Sequence, residues 1–159
     1  MTTSELRKEF LMTIGKTYAQ YGYPEYCGWV EGLLMLEPGE WTQQGISNRL
    51  GEILTSSTYP TSVPSINRAL KVLDSYGLVE KRGSRKTGYR YSLASSKNLI
   101  NSMLEQFILM GNDFIMRMED LASRAPKKDS ELQRAIRMQI ETNRTWNDAL
   151  EMILERLEG

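Results

Sequence analysis

The segment from residue 62 to residue 93 constrains the fold most, because a helical pattern in it passes directly into a strand pattern. Its first half carries an apolar residue every three or four positions, as one face of an α-helix does: Ile66, Ala69, Leu70 and Leu73. Gly77 is placed to end this helix. Two short alternating segments follow, at 78–82 and 89–93, with a glycine-bounded tip between them. This order predicts a helix and then a β-hairpin.

Apolar periodicity predicts three more helices upstream, over about residues 4–21, 25–36 and 43–53. Pro24 is placed to open the second of them, and Thr42 is a good N-cap for the third. Gly28 and Gly32 lie four apart in the second helix, where each glycine costs about 1 kcal/mol relative to alanine. We therefore expect another backbone to pack closely there. The polar loop at 54–61 is long for a connection inside a helix-turn-helix.

The pattern from Ser95 onward is wholly helical and has heptad-type spacing. Its two apolar stripes are separated by the breaker Ala125-Pro126, which predicts an antiparallel helical hairpin. The chain as a whole is predicted to be mostly α with a small β-hairpin. We expect a winged helix-turn-helix domain at residues 1–94 and a helical region at 95–159.

The charge of the chain is balanced overall but unevenly distributed. There are 20 basic and 20 acidic residues, yet residues 49–92 hold eight basic and three acidic ones, a net charge of +5. The flanking segments, 1–48 and 93–159, carry net charges of −3 and −2. A basic middle between acidic flanks indicates a local anion-binding surface.

The predicted order of helices and hairpin places the basic residues where a winged helix would contact DNA. In that architecture a recognition helix enters the major groove, which is about 12 Å wide, and the hairpin, or wing, contacts the backbone nearby. The candidate DNA contacts are Ser62, Ser65, Asn67, Arg68 and Lys71 on the helix, and Arg82, Arg85, Lys86 and Arg90 on the wing. Each group alone also fits an ordinary solvated surface. A winged-helix module that binds an acidic protein instead of DNA is the alternative.

Enzyme chemistry has little support in the composition. The chain has no histidine and one cysteine, Cys27, so the commonest general base and an intrachain disulfide are both absent. No glycine-rich phosphate loop or metal-ligand spacing is present, and we predict no cofactor, no metal and no catalytic residue. The N-terminus lacks an apolar signal core, and no apolar run is long enough to span a membrane. These features predict a cytoplasmic protein.

Aromatic residues are concentrated in the first 41 positions and offer a candidate effector site. The rings are those of Tyr18, Tyr21, Tyr23, Tyr26, Trp29 and Trp41. Because aromatic faces attract quaternary ammonium cations, they could enclose a choline-like ligand. The alternative, which aromatic residues at helical spacing more often fulfil, is that they pack the joint between two parts of the fold.

Two stretches of the sequence resemble a known group of regulators. Residues 65–82 resemble the recognition helix and first wing strand of MarR-type regulators. The run Tyr21-Gly22-Tyr23-Pro24, with Gly28 and then Gly32-Leu33, is similar to the GbsR branch of that group. The resemblance covers about residues 5–93 and implies a homodimeric repressor or activator on pseudo-palindromic DNA. It leaves room for control by a small molecule such as choline. The loop at 54–61 is longer than the family pattern.

The two stripes of the helical tail also predict the dimer contact. Its candidate residues are Ile100, Leu104, Phe107, Phe114, Trp146, Leu150 and Ile153. These side chains could instead cover the winged-helix domain. A second chain explains them better, since two long amphipathic helices after a complete domain have apolar surface to spare. The first helix of the chain is a further candidate for this contact.

Overall fold

Eight elements follow one another in the computed structural model, which describes residues 2–55, 59–94 and 98–158. They are α1 (Thr3–Gln20), α2 (Glu25–Leu36), α3 (Gln43–Leu54), α4 (Val63–Ser75), β1 (Val79–Ser84), β2 (Gly88–Leu93), α5 (Leu99–Arg124) and α6 (Ser130–Glu158). The chain divides into two units, Met1–Lys97 and Asn98–Gly159, called unit 1 and unit 2 below.

Helices α1 and α2 contact each other through glycine. A Cβ added to Gly28 would lie 2.6 Å from the Cα and the backbone nitrogen of Gly15, closer than real Cβ atoms approach. A Cβ on Gly32 would meet the side chain of Leu11 at 2.7 Å. The close backbone packing expected at the two glycines of α2 is therefore confirmed at Gly28, whereas Gly32 makes room for side chains of α1.

Helices α3 and α4 form the helix-turn-helix of unit 1. The Thr42 side chain accepts a hydrogen bond from the Gly45 backbone nitrogen at 3.0 Å and so caps α3. The Ser47 hydroxyl donates to the Thr61 carbonyl oxygen at 2.5 Å, which ties α3 to the approach to α4. Apolar side chains from both helices fill the core between them: Ile46, Leu50, Leu54, Ile66, Ala69, Leu70 and Leu73. Of the polar loop before α4, residues 56–58 lie outside the described part.

Strands β1 and β2 form an antiparallel hairpin whose register runs from Val79 opposite Leu93 to Ser84 opposite Gly88. Both strands extend further toward the tip than the alternating pattern predicts. The reason is that Gly83 and Gly88 adopt positive φ angles of 104° and 84°, which lets the backbone pair right up to the turn. Gly77, with φ 69°, ends the turn after α4 as expected.

Helices α5 and α6 of unit 2 run antiparallel, as the polar contacts between them show. Arg144 of α6 pairs with Glu119 of α5 at 2.5 Å, while Gln133, earlier in α6, donates to the Ala125 carbonyl oxygen just after α5. The buried side chains of the pair include Ile108, Ile115, Ile136 and Asn147. The Asn147 amide donates to Asn112 at 2.8 Å, and its oxygen lies too close to Gly111 for a Cβ to fit there.

The architecture is mostly helical with one two-stranded hairpin among the described residues. It is a winged helix-turn-helix followed by an antiparallel helical hairpin, the fold class that the sequence predicts. Within the described ranges, no helix combines the length and the apolar character that crossing a membrane requires.

Candidate nucleic-acid interface

One face of α4 is basic and exposed because the opposite face fills the core. Ile66 and Leu73 are fully buried, while Arg68 and Lys71 point away from them and are exposed. Neither cation makes an ion pair within the part of the chain that the structure describes. These two charges are therefore available to an anionic partner.

The two serines at the start of α4 lie differently from each other. Ser62 is the exposed N-cap residue, and its hydroxyl is 3.1 Å from that of Ser65. Ser65 is only 6% exposed. The structure thus places Ser62 at the candidate interface, whereas Ser65, on its flank of the helix, lies in the core and bonds to Ser62.

Asn67 is half-buried and bonded to the helix before it. The Gln43 side-chain nitrogen donates to the Asn67 side-chain oxygen at 3.1 Å, and to the Tyr91 hydroxyl at 3.3 Å. Sequence reasoning missed Gln43 and Tyr91 as neighbours of this site. Gln43 is 24 residues from Asn67, and no spacing rule links them.

The wing ends in a tight turn that exposes two cations. Arg85 and Lys86 lie in the three-residue turn between β1 and β2, and both are exposed. The Thr87 backbone nitrogen donates to the Ser84 side-chain oxygen at 3.2 Å, and the Ser84 backbone nitrogen donates to the Thr87 oxygen at 3.1 Å. These bonds hold the turn, so the two basic side chains project from a fixed backbone.

The other basic side chains of the wing differ in what they contact. Arg82 pairs with Glu40 at 3.6 Å and with Glu80 at 3.3 Å, so acidic neighbours offset its charge. Arg90 stands opposite Arg82 in the register and is exposed. Lys81 lies over the Tyr89 ring, 4.0 Å from its centre, a cation–π contact that the sequence analysis did not foresee.

The base of the wing is attached to the start of α3. Trp41 and Tyr91 exchange two backbone hydrogen bonds, of 2.8 and 2.7 Å. The Trp41 indole nitrogen also donates to the Glu37 carbonyl oxygen at 2.9 Å. These contacts connect the wing and the helix-turn-helix within one unit, which fixes the wing relative to α4.

The aromatic rings named as an effector site differ in their neighbours and in their exposure. Tyr18 donates from its hydroxyl to Glu31, and its ring meets that of Tyr23 edge to face. Trp29 is buried and packs edge to face against Tyr59, whose ring lies beneath Lys8. Trp41 lies at the wing base, Tyr21 is exposed and Tyr26 is half-buried.

Four ionisable groups of α1, α2 and the turn between them have shifted pKa values. Burial raises the pKa of Glu31 even though the hydrogen bond from Tyr18 acts to lower it. Burial and the neighbouring Glu31 raise the pKa of Tyr18. The hydrogen bond between Tyr23 and Tyr76 raises the pKa of Tyr23 to about 12. Burial raises the pKa of Cys27 to about 11. A thiol so shifted is protonated near neutral pH and is a weak nucleophile.

No group of three or more metal-ligating side chains occurs within residues 2–55, 59–94 and 98–158.

An uncharged groove of about 540 Å³ runs between α5 and α6 of unit 2. Its lining is Leu104, Phe107, Met110, Gly111, Phe114, Asn143, Trp146, Asn147 and Leu150. Phe107 is 47% exposed and Trp146 is 64% exposed, large values for aromatic side chains. Five of the seven residues named as dimer contacts line this groove, and the other two, Ile100 and Ile153, are exposed.

The chain matches no family model and no curated protein. It does resemble solved structures, among them a crystal structure of a transcriptional regulator. That likeness covers 96% of this chain and 97% of the other, with a TM-score of 0.61 and 14% sequence identity. At 14% identity the likeness shows only the fold, which is a winged helix with a helical extension. It extends over almost the whole length of both chains.

Proposed function

We propose that this protein is a homodimeric, DNA-binding transcription regulator. The observation that carries the proposal is the set of exposed cations without ion-pair partners, within the described residues, on the two elements that a winged helix applies to DNA. They are Arg68 and Lys71 on α4, Arg85 and Lys86 at the wing tip, and Arg90 on β2. The regulator of the same fold supports the proposal.

The helix and the wing have different roles in the proposed interface. Helix α4 enters the major groove, where Ser62, Asn67, Arg68 and Lys71 approach base edges and phosphates. The wing tip contacts the backbone beside it, which positions the protein more than it specifies sequence. Arg82 contributes less, because Glu40 and Glu80 already pair with it.

The groove between α5 and α6 is the proposed dimer contact. Its lining has no charged side chain, and two of its aromatic residues, Phe107 and Trp146, are 47% and 64% exposed. A second copy related by a two-fold axis presents the same apolar groove, so each copy covers the other without burying a charge. Two α4 helices would then read half-sites about 34 Å apart, or a multiple of that distance.

Salt dependence and a pair of double variants test DNA binding. We expect the affinity for duplex DNA to fall steeply as the salt concentration rises, because basic side chains that bind phosphates release the counterions of those phosphates. Arg68→Ala with Lys71→Ala should weaken binding by roughly 100-fold or more at physiological salt. Lys127→Ala with Lys128→Ala is the matched control, since it removes the same charge from exposed positions in unit 2.

Fluorescence anisotropy with genomic fragments selected by the protein measures both quantities. Salt-insensitive binding, or equal losses in the two double variants, contradicts the proposed interface. Failure to bind any duplex would instead favour the alternative, a module whose basic face binds an acidic protein.

Repression and a small effector are separate parts of the proposal, and both rest on the resemblance to MarR-type regulators. A transcription assay on the selected site gives the sign of regulation. Calorimetric titration with choline and glycine betaine tests the effector. Absence of heat at millimolar ligand contradicts a choline-like effector and leaves DNA binding unaffected.

A further inference from the structure

The side chain of Asn67 is held in one orientation by a residue outside its own helix. Its oxygen accepts a hydrogen bond from the Gln43 side-chain nitrogen at 3.1 Å. While Gln43 presents its nitrogen, the Asn67 amide cannot turn over without losing this bond. Among the described residues, the Asn67 side-chain nitrogen has no partner, so both of its hydrogens are free to donate.

Gln43 is itself well placed to hold that orientation. It is the first residue of α3 and follows the capping residue Thr42, so its backbone is fixed. Its side-chain nitrogen donates also to the hydroxyl of Tyr91, a buried residue at the wing base. Because Tyr91 is paired through its backbone to Trp41, the wing and α3 together hold the Gln43 side chain beside Asn67.

Asn67 lies between the buried stripe of α4 and the exposed face that carries Arg68 and Lys71. It follows Ile66 directly and is half-buried, so one side of its amide meets α3 while the other borders the exposed face. A residue in this position can contribute to recognition only with the atoms that Gln43 leaves free.

We propose that Gln43 is a positioning residue that sets the base preference of Asn67 by presenting its amide nitrogen to the groove. This inference rests on the proposed DNA-binding function. A free asparagine uses its oxygen and its nitrogen together and prefers adenine. An asparagine restricted to donating favours guanine, whose major-groove edge offers two acceptors, and disfavours cytosine, which offers a donor.

Selection of bound duplexes from a random pool tests this inference. Asn67→Ala identifies the base pair concerned, as the one at which the variant loses a preference that the wild type shows. At that pair we expect the wild type to favour guanine by roughly tenfold. Gln43→Ala should reduce the preference there and leave the other positions unchanged.

Gln43→Glu gives the sharper result, because a carboxylate only accepts hydrogen bonds. It should turn the Asn67 amide over and direct the oxygen to the groove, which moves the preference toward cytosine or adenine. Gln44→Glu is the matched control. Gln44 is its exposed neighbour, bonds to Asn48 within α3 at 2.8 Å, and receives the same change of charge. Tyr91→Phe removes one of the two contacts of the Gln43 amide and keeps the Gln43–Asn67 bond, so it should reduce the preference less than Gln43→Ala does.

Two outcomes overturn the inference and leave DNA binding intact. One is a Gln43→Glu variant with the wild-type preference at the pair identified by Asn67→Ala. The other is an Asn67→Ala variant that loses no preference at any position. A wild type that binds no duplex refutes the proposed function itself, so the two failures are distinguishable. Thermal melts of each variant show whether a uniform loss of affinity comes from unfolding.

Discussion

Units 1 and 2 differ in how they bury their apolar side chains. In unit 1, large residues of four helices are fully buried, among them Leu11, Val30, Ile46 and Ile66. In unit 2, two long helices bury few large side chains and leave many exposed, including Phe107, Met110, Trp146, Ile153 and Leu157. A pair of helices shares only one mutual face, so a second apolar stripe on each has nothing in its own pair to cover it. Unit 1 therefore has a closed apolar core, whereas unit 2 leaves an apolar surface exposed.

The largest expected effect comes from placing charge in the groove of unit 2. Phe107→Asp with Trp146→Asp should weaken the proposed homodimer by about 1,000-fold, since a carboxylate replaces each aromatic ring in an apolar contact. Sedimentation velocity measures the change. Leu109→Asp with Met116→Asp is the control: these residues are 67% and 68% exposed and do not line the groove. If both double variants stay dimeric, the groove is not the dimer contact.

A core substitution in unit 1 tests the other side of the comparison. Leu50→Ala, at a fully buried position, should lower the free energy of unfolding by about 2–5 kcal/mol. This loss of stability should not vary with protein concentration, because the side chains that bury Leu50 all belong to the same chain. Urea denaturation at two protein concentrations measures this. Leu6→Ala, at a 51% exposed position, should change stability by less than about 1 kcal/mol; similar losses for both would argue against the packing described.

Two glycines of unit 1 should respond to alanine with opposite signs. Gly28→Ala forces a Cβ to within 2.6 Å of the α1 backbone and should cost about 1–3 kcal/mol or more. Gly51→Ala meets nothing closer than the Thr61 hydroxyl at 3.9 Å and should stabilise α3 by about 0.5–1 kcal/mol. Thermal unfolding followed by circular dichroism compares the two. A gain at Gly28 would mean that α1 and α2 do not pack through backbone contact.

The buried Glu31 should make the stability of unit 1 depend on pH. Since burial raises its pKa, the folded state binds the proton more tightly than the unfolded state. The stability that protonation contributes is complete below the unfolded pKa and is lost as pH rises through the folded one. Glu31→Gln should therefore gain stability relative to the wild type as pH rises from about 4 to 8. Denaturation across that range measures the gain, and Tyr18→Phe, which removes the hydrogen-bond donor to Glu31, should show the opposite trend.

A similarly small effect is expected at the end of α3. Thr55 has φ 49°, a left-handed conformation that is costly for a β-branched residue. Thr55→Gly should stabilise unit 1 by about 1 kcal/mol, whereas Thr55→Ala keeps the Cβ and should gain less. Thermal unfolding distinguishes the two, and equal melting temperatures would show that the backbone there carries no strain.

The predicted helix boundaries agree with the structure because their signals are local. Thr42 caps α3 and Gly77 ends the turn after α4, as their chemistry indicates. The exposed placement of Arg68 and Lys71 also follows from periodicity, since the core stripe of α4 determines the opposite face. Ser65 was placed with the candidate contacts from its position alone, and packing on its flank of the helix buries it.

The packing between α5 and α6 was less accessible to pattern reasoning. The heptad-type stripes emphasise Phe107, Phe114 and Trp146, whereas the buried residues of the pair include Ile108, Ile115 and Asn147. Both stripes have helical spacing, so periodicity cannot tell which one faces the partner helix. The Asn147 amide beside Gly111 settles the register, and that contact joins residues far apart in the chain.

By itself, the sequence determined the order of the elements, the basic face of α4, the glycine-bounded wing and the apolar surplus of the tail. Each follows from residues a few positions apart, where backbone geometry alone decides which side chains share a face. Only the tertiary structure decided that Gln43 bonds to Asn67, that acidic neighbours offset Arg82, and which rings Tyr18 and Trp29 pack against. Those contacts join separate elements, and their geometry exists only once the core has set the distances between helices.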